Sequence, residues 1–222
     1  MSTENYAKPI RILHSLLALC MLTQLAIGEL MDVPEVEDMP VPVATSSFIT
    51  PAFAHEAHAP SIPGAAVEET LGFEVHEILG LVIAGLLLIR IMLAMTSLPG
   101  ANWRHLVPWM FADGRKQLLA ETKLQLAGWK QAKLAPPEEG ETVARSVHGF
   151  IVLAGIGMGI TGSILYFGWS QTAPQTDLIE LVAETHELLV GCLEALLAAH
   201  ILAVILHQRQ GHNIIARIKP TS

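Results

Sequence analysis

Charged residues are scarce in this sequence. Lys, Arg, Asp and Glu together make up 15% of its 222 residues, whereas hydrophobic residues make up 51%. The mean hydropathy of +0.46 is too high for an ordinary soluble domain, in which about a quarter of the residues are charged. The net charge of −8 gives no indication of a nucleic-acid partner.

Cysteine is also nearly absent. Cys20 and Cys192 both lie inside apolar stretches, where a free buried thiol is the usual state. No C-x-x-C-H motif occurs, which excludes a covalently attached c-type haem. The sequence likewise contains no phosphate-binding loop, soluble-domain repeat or catalytic triad. Functional residues are therefore expected within the apolar stretches themselves.

Four apolar blocks contain most of the hydrophobic residues, at about 10–30, 75–97, 147–168 and 182–207. Each block is close to the roughly 20 residues that a helix needs to cross the hydrocarbon core of a bilayer. The pattern predicts an all-α membrane protein, a four-transmembrane-helix bundle that forms a single domain over residues 1–222.

Basic residues are absent from residues 31–73 but frequent in residues 98–146 and at both termini. Because basic residues mark the cytoplasmic side, we expect a periplasmic loop at 31–73, a cytoplasmic loop at 98–146 and cytoplasmic termini. Within the cytoplasmic loop, residues 113–134 mix leucines with basic residues, which favours an interfacial helix over a docking site for a cytoplasmic protein. The periplasmic loop contains His55 and His58, which are more typical of solvated histidines than of a surface metal site.

Histidines interrupt the apolar blocks. The last block contains His186, His200 and His207. On an α-helix the first two lie on nearly one face, about 21 Å apart along the axis. The direction of each span places His76 near His186 towards the outer surface, and His14 near His200 towards the inner surface. A lone membrane histidine is often only a hydrogen-bonding residue between helices, but that role explains two pairs at two levels poorly.

Histidines of membrane proteins bind two kinds of metal group, zinc ions and haem, and these differ in the number of ligands that they need. Zinc needs four ligands at one point, and neither level offers an obvious set of four. A haem needs only two axial ligands on opposite faces of an apolar macrocycle, with small residues nearby. Such small residues are Gly80, Gly191, Ala195, Ala198 and Ala199. The spacing predicts two bis-histidine b-type haems, in preference to a transporter that uses the histidines directly for protons or metal ions.

The same segments resemble a known family. The motif H-E-x12-H-x6-H from His186, the opening RILHSLLALCMLTQLAIG from Arg11 and the pattern HEILGLVIAGLLLIR from His76 are similar to the bacterial cytochrome b561 and nickel-iron hydrogenase b-type cytochrome family. That family includes the cytochrome b subunits of formate dehydrogenases. The likeness extends over all four spans, whereas residues 31–73 look peculiar to this chain. It implies haem ligation by His14 with His200 and by His76 with His186, as well as multi-pass insertion in the bacterial inner membrane.

The resemblance also implies a function, namely a dihaem transmembrane cytochrome b of a respiratory chain. Such a protein is an electron-transfer subunit or quinone-linked oxidoreductase, carrying electrons between a membrane quinone and a periplasmic redox partner such as a dehydrogenase subunit or a c-type cytochrome. Bis-histidine ligation leaves no open iron position, which favours electron transfer. Two alternatives stay open: a free-standing superoxide:quinone oxidoreductase, and a membrane anchor whose haems are only structural. A homo- or hetero-oligomer is compatible with each of them.

Three further residues are expected near the inner surface, namely Arg90, His148 and His207. They either surround the inner haem propionates or a quinone headgroup, or they merely snorkel and cap helices in contact with lipid headgroups. Arg90 is the best candidate for a propionate partner, because a guanidinium binds a carboxylate in a bidentate manner.

Overall fold

The structure is a computed structural model that describes residues 6–31, 71–98, 100–129, 135–136, 141–169 and 176–219. Within these ranges the secondary structure is entirely helical, without a β-strand. In chain order the helices are α1 (Lys8–Leu30), α2 (Leu71–Ala94), α3 (Trp103–Leu106), α4 (Ala112–Trp129), α5 (Glu141–Gly168) and α6 (Asp177–Arg209). Short 3₁₀ turns cover Pro108–Met110 and Ile214–Arg217. Helices α1, α2, α5 and α6 are long and apolar enough to cross a membrane, so the predicted all-α, four-span membrane fold is confirmed.

The observed helices extend beyond the predicted apolar blocks. Helix α2 begins at Leu71 instead of residue 75, α5 at Glu141 instead of 147 and α6 at Asp177 instead of 182. Most of the predicted periplasmic loop, with His55 and His58, lies outside the described residues. Helix α4 covers the predicted interfacial segment as far as Trp129, and residues 130–134 are not among those described.

Side-chain caps determine where two of the spanning helices begin. Thr176 caps α6 by accepting a hydrogen bond at 3.4 Å from the backbone N–H of Ile179. Helix α5 is capped by another helix, because the Glu121 carboxylate of α4 accepts hydrogen bonds from the Thr142 hydroxyl at 2.6 Å and the Val143 N–H at 2.9 Å. A negative charge is favourable at a helix N-terminus, so α4 stabilises the polar first turns of α5.

The spanning helices pack in chain order, α1 against α2, α2 against α5 and α5 against α6. Every span contributes to the shared core, whose buried members are Met21, Leu87, Ile151, Ala154 and Leu193. Glycines of α5 permit the close approach: a Cβ atom added at Gly155 would lie 3.0 Å from Leu87, and one at Gly157 would lie 3.0 Å from Leu189. Small residues at such interfaces are the usual basis of helix association in lipid.

Much of the remaining surface is apolar and exposed. Helix α6 buries only Ile179 and Leu193 of its 33 residues. Leu19 of α1 and Leu188 of α6 are 67% and 69% exposed. Apolar surface on this scale would be unfavourable in water, but it matches the hydrocarbon tails of a bilayer.

Helices α1 and α6, the first and last spans in this order, do not pack closely against each other within the described ranges. Their side chains nevertheless face one another across a cavity between them. This separation places residues of α1, α5 and α6 around a common space near the start of α1 and the end of α6.

Candidate functional site

Three histidines from three helices meet in this cavity. The ring centroids of His14 on α1 and His200 on α6 are 6.4 Å apart, and those of His14 and His148 on α5 are 6.3 Å apart. His148 and His200 are closer still, at 4.8 Å. One ligating nitrogen of each histidine lies within 4.8 Å of the others. The structure thus brings together the predicted pair of His14 and His200, and adds His148 to it.

The cavity has a volume of about 320 Å³ and an asymmetric lining. Its deeper wall is apolar, with Leu17, Met21, Leu87, Ile151 and Leu197. Its other end carries three guanidinium groups, from Arg11, Arg90 and Arg145. An apolar slot with cationic groups at one end suits a flat hydrophobic molecule that carries carboxylates on one edge.

Local hydrogen bonds hold these arginines. Arg11 Nη1 donates to the carbonyl of Lys219 at 2.9 Å, and Arg90 Nη1 donates to the carbonyl of Ala101 at 3.0 Å. Arg145 forms an i,i+4 ion pair with Glu141 at 2.6 Å, and Glu141 also lies 3.8 Å from Arg217. We call this end of the bundle, with Arg11, Arg90 and Arg145, the basic end.

His105 of α3 lies at the basic end and also lines the cavity. Partial burial and the neighbouring Arg145 guanidinium lower the pKa of His105 below its usual value of 6.5, and Glu141 opposes this effect. The imidazole is therefore mainly neutral at pH 7, and the positive charge of the basic end comes from the arginines.

The three accessory residues predicted at this level are placed differently. Arg90 and His148 both line the cavity. His207 is not among the lining residues, and its Nδ1 lies 2.9 Å from Nδ1 of His212, so that one ring donates to the other. A reverse turn makes that contact, since Gly211 has φ +83° and Asn213 has φ +40°.

His76 of α2 and His186 of α6 form a second level, near the opposite end of the bundle, and are close enough to interact electrostatically. The Gln24 side-chain amide donates to the His76 backbone carbonyl at 2.9 Å. His76 Nδ1 is buried, and it has no hydrogen-bond partner within the part of the chain that the structure describes. Glycines lie against both rings, since a Cβ at Gly28 would be 3.5 Å from His76 and one at Gly162 would be 3.3 Å from His186.

Thr161 of α5 contacts the ring of His186. The Thr161 hydroxyl is within hydrogen-bond distance of the carbonyls of Gly157 and Met158, at 3.0 and 3.2 Å, and its single proton is directed to them. With that proton on either carbonyl, the Thr161 oxygen accepts the 2.7 Å hydrogen bond from His186 Nδ1. With Nδ1 protonated, Nε2 of His186 carries the lone pair that can bind a metal.

Sequence reasoning missed several residues of both levels. Arg11 and Arg145 each lie three residues before a cavity histidine, so one helical turn separates each arginine from His14 or His148. That spacing could have indicated that both arginines lie close to the cavity histidines. Thr161 offered none, because a threonine in an apolar helix usually bonds only to its own backbone.

Comparison with known proteins identifies the family of this chain. The family model for prokaryotic cytochrome b561 matches residues 5–221, which include all four spanning helices and both histidine levels. No curated protein and no solved structure matches the chain. The chain belongs to the prokaryotic cytochrome b561 family and is a multi-pass membrane cytochrome, which implies haem b and electron transfer.

Proposed function

We propose that this protein is a dihaem transmembrane cytochrome b that carries electrons between a membrane quinone and a periplasmic redox partner. The observation that carries the proposal is the presence of histidines from different helices at two levels of one bundle, His14 with His200 and His76 with His186. The helical rise separates His186 from His200 by about 21 Å along α6. Two redox centres at this spacing connect the two faces of a bilayer.

The residues at the His14 level fit a haem. Two imidazoles bound to one metal, each through a bond of about 2 Å, hold their nitrogens about 4 Å apart. The nitrogens of His14 and His200 lie within 4.8 Å of each other. The apolar cavity wall suits a macrocycle, and Arg11, Arg90 and Arg145 are placed to bind propionates at the basic end.

The His76 level fits for different reasons. The buried, unpartnered Nδ1 of His76 is a polar atom whose burial costs free energy unless it gains a partner. His186 is already held by Thr161 in the tautomer that leaves Nε2 for a metal. Gly28 and Gly162 keep both rings free of neighbouring side chains.

Haem b, when bound, supplies a one-electron couple at each level, and bis-histidine ligation favours electron transfer over oxygen chemistry. The chain itself orients the ligands, excludes water and balances charge. Thr161 orients His186, while Leu87 and Ile151 keep the space beside His14 apolar. The guanidinium of Arg90 offsets negative charge at the basic end.

The basic end is proposed to face the cytoplasm of a bacterium, with both termini on that side of the inner membrane. Support comes from the concentration of Lys and Arg at this end and their absence from residues 31–73. A quinone headgroup at the rim of the apolar cavity would meet the hydrogen-bonding groups of the basic end. The His76 level then lies towards the periplasm, within reach of a soluble redox protein.

The test is haem analysis of the purified protein and of matched histidine variants. We expect about two haems b per chain, both reduced by a quinol, and loss of about half the haem in His14→Ala and in His76→Ala. His212→Ala is the control, because His212 belongs to neither level, and it should keep the full haem content. A preparation without haem, or haem retained in both His14→Ala and His76→Ala, would contradict the proposal.

A further inference from the structure

The His14 level contains one histidine more than a haem can use. A haem offers two axial positions, one on each face. His14 is nearly equidistant from two possible partners, with ring centroids 6.3 Å from His148 and 6.4 Å from His200. Ring distance therefore does not favour His200 over His148 as the residue opposite His14.

Nitrogen distances allow both pairings as well. The ligating atoms of all three histidines lie within 4.8 Å of one another, close to the roughly 4 Å that two imidazoles adopt across a shared metal. The rings of His148 and His200 are only 4.8 Å apart, on α5 and α6. Both belong to the side of the cavity that faces His14, so a side-chain movement of a few ångströms exchanges them.

His148 is held in position by the loop helices. A Cβ at the next residue, Gly149, would collide with the Leu106 carbonyl and the Trp109 ring, so α5 is packed directly against this segment. The Trp109 ring also stacks on Phe150, with centroids 4.2 Å apart and planes 6° from parallel. These contacts clamp the turn of α5 that carries His148.

The corresponding turn of α6 lies at the surface of the bundle. The residues on either side of His200, Ala199 and Ile201, are both exposed on the surface of the bundle. His200 and His148 are both partly buried. The histidine whose turn packs against the loop segment is thus the one that sequence spacing did not select as an axial ligand.

We propose that His148 is an alternative axial ligand at this level, exchanging with His200 opposite His14. This inference rests on the proposed haem site at the His14 level. With haem bound, one imidazole nitrogen would leave the iron as the other took its place. Both imidazoles act as neutral ligands, so neither the iron oxidation state nor the number of protons changes.

The experiment compares haem content in His148→Gln, His200→Gln and the double variant, all purified as the full chain. We expect each single variant to retain the haem content of the wild type, because the remaining histidine pairs with His14. The double variant should lose about half of the total haem, since only the His76 level stays complete. Loss of that half in either single variant overturns the exchange.

Electron paramagnetic resonance of the oxidised protein gives a second readout. The low-spin signal of a bis-imidazole haem depends on the angle between the two ring planes, and the two pairings take their second ring from different helices, α5 for His148 and α6 for His200. The two single variants should therefore differ, and the wild type should contain both signals. If a variant fails to fold, the wild-type spectrum decides, and one signal from this level overturns the inference.

Failure of this inference is distinguishable from failure of the proposed function. Haem that depends on His14 and His200 but not on His148 leaves the dihaem assignment intact and removes only the exchange. Haem content that does not respond to His14→Gln refutes the haem site at this level, and with it both proposals.

Discussion

Replacing Thr161 by valine should raise the midpoint potential of the haem at the His76 level. Valine keeps the β-branched shape but removes the oxygen that accepts the 2.7 Å hydrogen bond from His186 Nδ1. That bond makes the imidazole a more basic ligand, which stabilises ferric over ferrous iron. Without it the ferrous state gains relative stability, and the potential rises.

The size of the shift follows from the hydrogen bond. A neutral hydrogen bond contributes about 0.5–1.5 kcal/mol net. For a one-electron couple a tenfold change in the equilibrium constant is about 1.4 kcal/mol or 59 mV. If the full contribution favours one oxidation state, the potential rises by about 20–65 mV. The shift should be confined to the haem at the His76 level, because Thr161 contacts His186 and not the histidines of the His14 level.

A spectroscopic redox titration that resolves the two haems measures this shift. Thr161→Ser is the matched control, since serine keeps the hydroxyl and can repeat both its donation to the helix backbone and its acceptance from His186. The control should titrate like the wild type. An unchanged potential in Thr161→Val, or an equal shift in Thr161→Ser, would refute the proposed tautomer of His186 and the role of Thr161.

Three further predictions concern other parts of the bundle. Arg90→Gln should lower the midpoint potential of the haem at the His14 level, because loss of a positive charge disfavours the added electron. The control is Arg104→Gln, because Arg104 lies outside the cavity lining. Equal redox titration curves for the two variants would argue against a contact between Arg90 and a propionate. His186→Gln should remove only the haem at the His76 level, as seen by haem extraction, and loss of the other haem instead would reverse the assignment of levels. Gly149→Ala should destabilise the folded protein by about 1–3 kcal/mol, because the added Cβ collides with the Leu106 carbonyl and the Trp109 ring. The control is Gly85→Ala, whose Cβ would meet no atom within 4 Å, and which should leave the thermal unfolding temperature unchanged or higher. Equal effects of the two substitutions would show that α5 is not tightly packed at Gly149.

Most of the fold was accessible from hydropathy and helix period alone. The lengths of the apolar blocks predicted four spans, and the spacing of His186 and His200 on one helix predicted two levels. The pairing of His14 with His200 needed only the alternating direction of successive spans. Both properties are local or follow from topology, so no side-chain packing was required.

The position of His148 could not be predicted in the same way. The third apolar block begins at Val147, which suggested that His148 lies at a helix end near the surface. Helix α5 instead begins at Glu141, which places His148 nearly two turns inside the helix. The extra turns are polar, and they are stabilised by Glu121 from α4, a contact between residues far apart in sequence.

The pairing of His207 with His212 was hidden for a related reason. Spacing placed His207 on nearly the same face as His200, but it gave no information on the chain beyond the helix. The turn through Gly211 and Asn213 brings His212 back onto the helix end, and both residues have positive φ. Turn geometry of this kind depends on contacts with the rest of the bundle as well as on glycine.

The separation of α1 from α6 has a consequence for how the protein is assembled. Among the described residues, three close helix interfaces join the four spans, and on the fourth side a cavity separates α1 from α6. A haem bound in this cavity would contact both α1 and α6 and so join the fourth side of the bundle. Binding there adds stability that grows with the concentration of free haem, so cells starved of haem should hold a looser, more protease-sensitive form of this protein.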